Sequence, residues 1–186
     1  MYDPEIHHRR SIRWRHYDYS QPGFYYVTIC VQGHRTLLGR VSAGIMELND
    51  AGRMVDATWR DIPQVFSSMR PDEHVTMPNH FHGILQIVSR SQEAVAPTLA
   101  DAVGAFKSKS TDAYIAGVHN LNWPRFDGHF WQRNYYDHVI RDNDELEKIR
   151  QYIQQNPLRW SCDRYNPENS VLVADETGLL VPWQQS

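Results

Sequence analysis

The chain has 186 residues, 41% hydrophobic and 22% charged, which is enough for one domain with its own core and too apolar for an intrinsically disordered segment. No run of about 18 apolar residues occurs, and Met1-Tyr2-Asp3-Pro4-Glu5 lacks the basic and apolar regions of a secretion signal, so a membrane protein is disfavoured and a cytoplasmic one expected. Cys30 and Cys162 are the only cysteines, which argues against a disulfide framework or a cysteine-based zinc site.

The net charge of −3 does not exclude a nucleic-acid partner, because its distribution matters more than its sum. Residues 161–186 hold one arginine and four acids, and that acidic tail accounts for the whole deficit. At the other end, His7-His8-Arg9-Arg10-Ser11-Ile12-Arg13-Trp14-Arg15-His16 carries four arginines, no acid and one interleaved tryptophan. Arg9, Arg10, Arg13 and Arg15 are candidate phosphate contacts and Trp14 a stacking surface; a solvated arm without a ligand fits this composition equally well. The expectation is a single domain over 1–186, with a basic arm at 1–20 and the tail at 161–186.

Phe24 to Val31 is rich in β-branched and aromatic residues after Pro22-Gly23 and predicts a central strand. Leu37 to Leu48, broken by Gly39 and Gly44, predicts a hairpin or irregular strand pair. Asn49 or Asp50 caps a helix running to about Asp61, ended by Pro63. His74 to Met77, a Pro78-Asn79 turn and His80 to Val88 predict two strands. Residues 89–97 read as a loop, and Thr98 caps a helix from Leu99 to about Ala116 with Leu99, Ala102, Val103 and Phe106 at helical spacing. Gly117 to Gly128 predicts a loop, Phe130 to Arg141 a loop entering a short edge strand, and Asp142 or Asn143 the cap of a last helix that Pro157 stops. The order β, α, β, β, α, β, α is that of an α+β, ferredoxin-like split βαβ fold with an antiparallel sheet and an additional C-terminal helix.

The chemistry lies in two of these elements. In Met77-Pro78-Asn79-His80-Phe81-His82-Gly83 the alternation of a strand turns His80 and His82 to one face and Phe81 to the other. Two neutral imidazoles side by side suit a divalent metal, although histidine pairs on strands are more often surface or core residues. On the last helix Tyr152 and Asn156 are four apart and share a face. An amide as third ligand makes the site fairly hard, favouring Mg²⁺ or Mn²⁺, and a metal there would polarise a phosphodiester. Gln155 competes with Asn156 for that role. A helical tyrosine is usually packing, and its phenol is neutral near pH 7, so use as a nucleophile demands an electrophile polarised by the metal. Lys107 and Lys109 follow Phe106 on the second helix, where they could touch phosphates or simply be solvated. Tyr135 and Tyr136 rank below Tyr152 as nucleophiles, and His138 is a candidate supporting residue. His74 is not assigned as a ligand, because a turn at Pro78-Asn79 breaks its strand parity with His80.

Taken together, Tyr17-Asp18-Tyr19-Ser20-Gln21-Pro22-Gly23, Tyr26 to Cys30, Leu48 to Val55, Met77 to Gly83, Phe106-Lys107-Ser108, Trp131 to His138 and Tyr152 through Asn156-Pro157 carry a resemblance over most of the chain. The chain resembles the REP-associated tyrosine transposases of the single-tyrosine HUH superfamily, relatives of the small bacterial insertion-sequence transposases. The resemblance implies a bacterial, nucleoid-associated, metal-dependent endonuclease and strand transferase that acts on single-stranded DNA at hairpins formed by palindromic repeats, as a monomer or homodimer. It implies His80 and His82 as metal ligands, Tyr152 as the nucleophile forming a 5′-phosphotyrosine, and Asn156 as the third ligand, where related insertion-sequence enzymes usually have glutamine. Two rivals are a domesticated hairpin-binding protein that no longer cleaves, and a phosphoesterase with paired His-x-Thr motifs. His74-Val75-Thr76 matches one such motif, but the chain lacks the second.

Overall fold

In the computed structural model, residues 17–88 and 96–169 are described. The strands are β1 (Gly23–Cys30), β2 (Gly39–Ser42), β3 (Ile45–Leu48), β4 (Met69–Thr76), β5 (His80–Ile87) and β6 (Tyr136–Ile140). The helices are α1 (Asp50–Arg60), a single turn α2 (Ile62–Val65), α3 (Leu99–Leu121) and α4 (Asn143–Gln155). The main sheet is antiparallel in the order β4-β5-β1-β6, and β2 and β3 form a separate hairpin. Two interlocked split βαβ units, β1-α1-β4 and β5-α3-β6, make this the ferredoxin-like arrangement expected from the element order, with α4 added after it. Among the described residues no helix is long and apolar enough to cross a membrane.

The caps resolve the alternatives the sequence left. The Asn49 side chain accepts from Gly52 N at 2.8 Å to start α1, Thr98 and Asp101 form a reciprocal capping box on α3, and the Asp142 side chain accepts from Glu145 N at 2.8 Å to start α4.

Four boundaries differ from expectation. Pro63 does not terminate α1, which ends at Arg60; it sits in the first turn of α2, where a missing N–H costs nothing. Strand β4 begins at Met69, five residues before the predicted start, because Arg70-Pro71-Asp72-Glu73 is the bulged half of an edge strand and carries no apolar alternation. Helix α3 runs through Gly117 to Leu121 and closes on Asn122 in the left-handed conformation (φ 55°). Gly117 is no breaker there: a Cβ would lie 2.2 Å from the Trp123 ring, so its smallness lets the indole fold back on the helix. Finally, Pro157 ends α4 but not the turning of the chain, which continues as a 3₁₀ segment over Pro157–Cys162.

One face of the sheet carries the main core. Tyr25, Val27 and Ile29 of β1 and Phe81, Leu85 and Ile87 of β5 pack under α1 and α3, with Trp59 against Phe81 (4.8 Å between ring centroids) and against Phe106 (5.3 Å). On the opposite face Tyr26, Ile84, Tyr136 and Ile140 meet Leu146, Ile149 and Ile153 of α4. Three buried aliphatic side chains at roughly 1.5–3 kcal/mol each are enough to seat that helix. The N-terminus of α1 crosses the Leu38 carbonyl so closely that a Cβ on Gly52 would lie 2.1 Å from its oxygen. Because backbone cannot yield as a side chain can, Gly52→Ala is expected to destabilise the fold by about 2–3 kcal/mol, read as a lower urea midpoint at unchanged slope.

Candidate metal and nucleophile site

The period of two in β5 places His80, His82 and Ile84 on the α4 face, while Phe81 enters the main core. Register then decides their neighbours. Cys30 lies opposite His80, Thr28 opposite His82 and Tyr136 opposite Thr28. The two imidazoles are buried and meet edge to face, with ring centroids 4.6 Å apart. From α4, Tyr152 approaches His82 (5.5 Å) and Tyr26 (6.4 Å), and Asn156, one turn later, is 2% exposed. Helix α4 packs on the sheet face that carries the two histidines.

Three buried polar atoms here make no hydrogen bond of ordinary geometry: Nε2 of His80, Nε2 of His82 and Oδ1 of Asn156, although the Asn156 amide lies close enough to His80 to act on its ring. A buried acceptor without a donor costs about 1–3 kcal/mol, and three on facing elements are exceptional in a native fold. The remaining nitrogens are braced. His82 Nδ1 is 2.7 Å from the Tyr26 hydroxyl and 2.9 Å from Thr28 Oγ1, and His80 Nδ1 is 2.9 Å from Asn79 Oδ1.

Electrostatics keep both rings neutral. Burial, then the adjacent His82, holds His80 well below the usual imidazole range. Burial first, then the Arg164 charge, pushes His82 down to about 3. Tyr152 is raised by burial and next by the Asp163 carboxylate, while hydrogen bonding to Asn156 and Tyr26 works the other way. The phenol is therefore protonated at neutral pH.

An acid sensitivity follows. Below about pH 6.5 an unfolded chain protonates these imidazoles and the folded chain does not, so the unfolded state binds more protons and stability falls as pH drops from about 6.5 towards 3. At pH 5 the loss from His82 alone is about 2 kcal/mol. Urea unfolding of metal-free protein at pH 7 and pH 5 should show that loss, and His82→Gln should lack it.

The α4 helix is fixed from outside as well. Arg150 donates from Nε (2.8 Å) and Nη2 (2.6 Å) to both carboxylate oxygens of Asp72 on β4, and Gln154 donates to Glu73 at 3.0 Å. A two-pronged guanidinium–carboxylate contact sets angle as well as distance, and it lies two residues before Tyr152.

The other expected residues fall as follows. Gln155 points outward and accepts from Arg159 Nη2 at 2.8 Å, so of the two competing amides Asn156 is the one inside the site. His138 Nε2 contacts Glu145 Oε1 at 2.7 Å and ties β6 to the first turn of α4. Lys107 turns its ammonium inward to the Gln132 (2.6 Å) and Arg133 (3.0 Å) carbonyls, joining α3 to the loop before β6, while Lys109 is exposed. Tyr135 packs against the main core and Tyr136 beneath α4. His74 lies on the α1 face with Nε2 3.1 Å from Asp56 Oδ1, across the sheet from His80 and His82. Arg9, Arg10, Arg13 and Arg15 lie outside the described residues.

Sequence reasoning passed over Tyr26 and Thr28, which the same period-two rule puts on the histidine face, and Asn79, read only as a turn residue. It also passed over Asp163, whose Oδ2 is 3.8 Å from His80 Nε2, and Tyr165, whose ring centroid is 4.8 Å from that of His80. No periodicity marks those two, because they return on a 3₁₀ segment and turn.

The site thus consists of two neutral histidines on a ferredoxin-like antiparallel sheet, beneath a helix bearing a tyrosine and a buried amide, in a chain of the α+β class. The sequence model described as "Transposase IS200 like" matches residues 68–156, spanning β4 to the last residue of the site. An uncharacterised protein of Haemophilus influenzae is 38% identical over 182 residues, 88% of this chain and 96% of that one. The fold is similar to a REP-associated tyrosine transposase solved bound to a REP hairpin, with TM-score 0.57 and 18% identity over 79% of this chain and 73% of that one. The chain belongs to the IS200-like transposase family.

Proposed function

We propose that this transposase-family chain is a metal-dependent single-stranded DNA endonuclease and strand transferase that uses Tyr152 as its nucleophile at DNA hairpins. The observation that carries the reading is the set of three acceptors without a hydrogen bond of ordinary geometry, His80 Nε2, His82 Nε2 and Asn156 Oδ1, buried next to that tyrosine. Two neutral imidazoles and an amide oxygen fit a divalent cation of intermediate hardness, Mn²⁺ or Mg²⁺. Among the described residues no group of three or more His, Cys, Asp or Glu could hold a metal ion, so the reading depends on the Asn156 amide as third donor. When bound, such an ion supplies Lewis-acid polarisation of the scissile phosphate.

The chain's own residues do the rest. Arg150 and Gln154 hold α4 against β4, which sets the axial position of the Tyr152 hydroxyl over the histidine face. Tyr152 Oη attacks phosphorus, an O–P bond forms to the tyrosine, and the bond from phosphorus to the 3′ oxygen breaks. The phenolic proton is lost and the departing 3′ oxygen gains one, leaving a 5′-phosphotyrosine and a free 3′ hydroxyl. The covalent bond keeps the phosphodiester's energy, so attack by another 3′ hydroxyl joins strands and releases Tyr152. A hairpin as the recognised form is supported by the DNA bound to the similar transposase, and action on chromosomal DNA accords with a nucleoid location.

The test is incubation with labelled single-stranded hairpin DNA from the gene's own flanks, with Mn²⁺ or with chelator, followed by denaturing electrophoresis. A metal-dependent covalent adduct is expected. Tight binding with no adduct would favour the domesticated binder.

A further inference from the structure

The full burial of Asn79 and the use of its whole amide point to a role beyond the turn. Its Nδ2 donates to the His34 carbonyl at 2.9 Å and the Tyr165 carbonyl at 2.6 Å, while Oδ1 faces His80 Nδ1 at 2.9 Å. An amide can be turned over with little change in shape, so its orientation has to be argued from its partners. The reversed amide would set Oδ1 against two carbonyl oxygens with no hydrogen between them, and only the NH₂ group can satisfy both. An oxygen therefore faces His80, and Nδ1 must carry the proton. A neutral imidazole has one N–H, which leaves Nε2 as a lone pair, and Nε2 is the buried atom that makes no hydrogen bond of ordinary geometry on the side of the site.

We infer that Asn79 is a positioning residue that locks His80 as the Nδ1–H tautomer, so that its Nε2 lone pair is presented to the site before any ligand arrives. The inference rests on the metal-site reading for its purpose, but the tautomer is a property of the chain by itself. Its physical value is preorganisation: a ring free to choose would spend part of its population with a proton where the cation must bind, and would rotate within its cavity. Outer partners of this kind are commonly worth 10–100-fold in metal affinity. The His34 and Tyr165 carbonyls, from two distant segments, hold the amide, so the orientation of one ring is over-determined by three elements.

The measurement is a long-range ¹H–¹⁵N correlation spectrum of metal-free protein labelled in its histidines, with the His80 signals assigned by their loss in His80→Gln. The expected pattern is a protonated Nδ1 and an unprotonated Nε2. An Nε2–H tautomer, or an averaged mixture in the wild type, overturns the inference. Asn79→Leu, checked for fold by near-ultraviolet circular dichroism, should release the ring into a mixture and weaken Mn²⁺ binding by calorimetry about 10–100-fold. Equal Mn²⁺ affinity in folded Asn79→Leu refutes the positioning role. If that variant does not fold, the wild-type spectrum still decides. Absence of Mn²⁺ binding by the wild type sinks the metal reading and leaves the tautomer to be judged on its own spectrum.

Discussion

Tyr152→Phe is expected to lose the covalent DNA adduct by more than about 1,000-fold, a barrier increase of about 4 kcal/mol, with hairpin affinity unchanged. The substitution removes one oxygen. Tyr152 is only half-buried, and its hydroxyl works with Asn156 and Tyr26, so the cost to the fold should stay near 1 kcal/mol, the worth of one hydrogen bond. That separation makes the variant decisive: a protein that binds, melts normally and no longer forms the adduct places the hydroxyl in the bond-making step. Cleavage at the wild-type rate would remove Tyr152 from the mechanism. It would direct attention to Tyr136, the other tyrosine beneath α4, or to Tyr26, whose hydroxyl already meets His82.

The second large effect concerns the metal. His80→Ala should abolish Mn²⁺-dependent cleavage and reduce Mn²⁺ binding below detection by calorimetry, because two remaining neutral donors do not hold a divalent cation against water. The fold should persist, since the main core lies on the other face of the sheet. The two amides then give an internal comparison. Asn156→Ala removes a buried oxygen facing the histidines and should cost at least 10-fold in Mn²⁺ affinity, whereas Gln155→Ala removes an exposed contact to Arg159 and should cost less than 2-fold. Unaltered activity in His80→Ala would discredit the proposed metal site.

Much of this architecture is legible in the sequence, for physical reasons that differ by element. Strands β1 and β5 are buried and β-branched or aromatic, so periodicity finds them and also fixes which side His80 and His82 face. The spacing of Tyr152 and Asn156 on a helix carries them to one side in the same way. The signal fades where tertiary contact overrules local preference. Gly117 reads as a break, yet it is the seat for Trp123. The first half of β4 reads as polar loop, because Asp72 and Glu73 turn their carboxylates to Arg150 and Gln154 of α4 instead of adding apolar alternation. Lys107 reads as a surface charge, but its long stem delivers the ammonium to two backbone carbonyls. Asn79 carries no sequence mark at all for its role, since its partners His34 and Tyr165 are 45 and 86 positions away.

The bulge in β4 has a further consequence for how copies of the protein meet. Strand β4 is an edge of the sheet, and an edge is an open template for another strand. Here Pro71 offers no N–H, the register slips between Pro71 and His74, and the acids at 72 and 73 are pinned by α4. An incoming strand would find a broken row of donors and a charged rim. The opposite edge, β6, is only five residues long. The sheet is thus guarded at both edges against growth by strand addition.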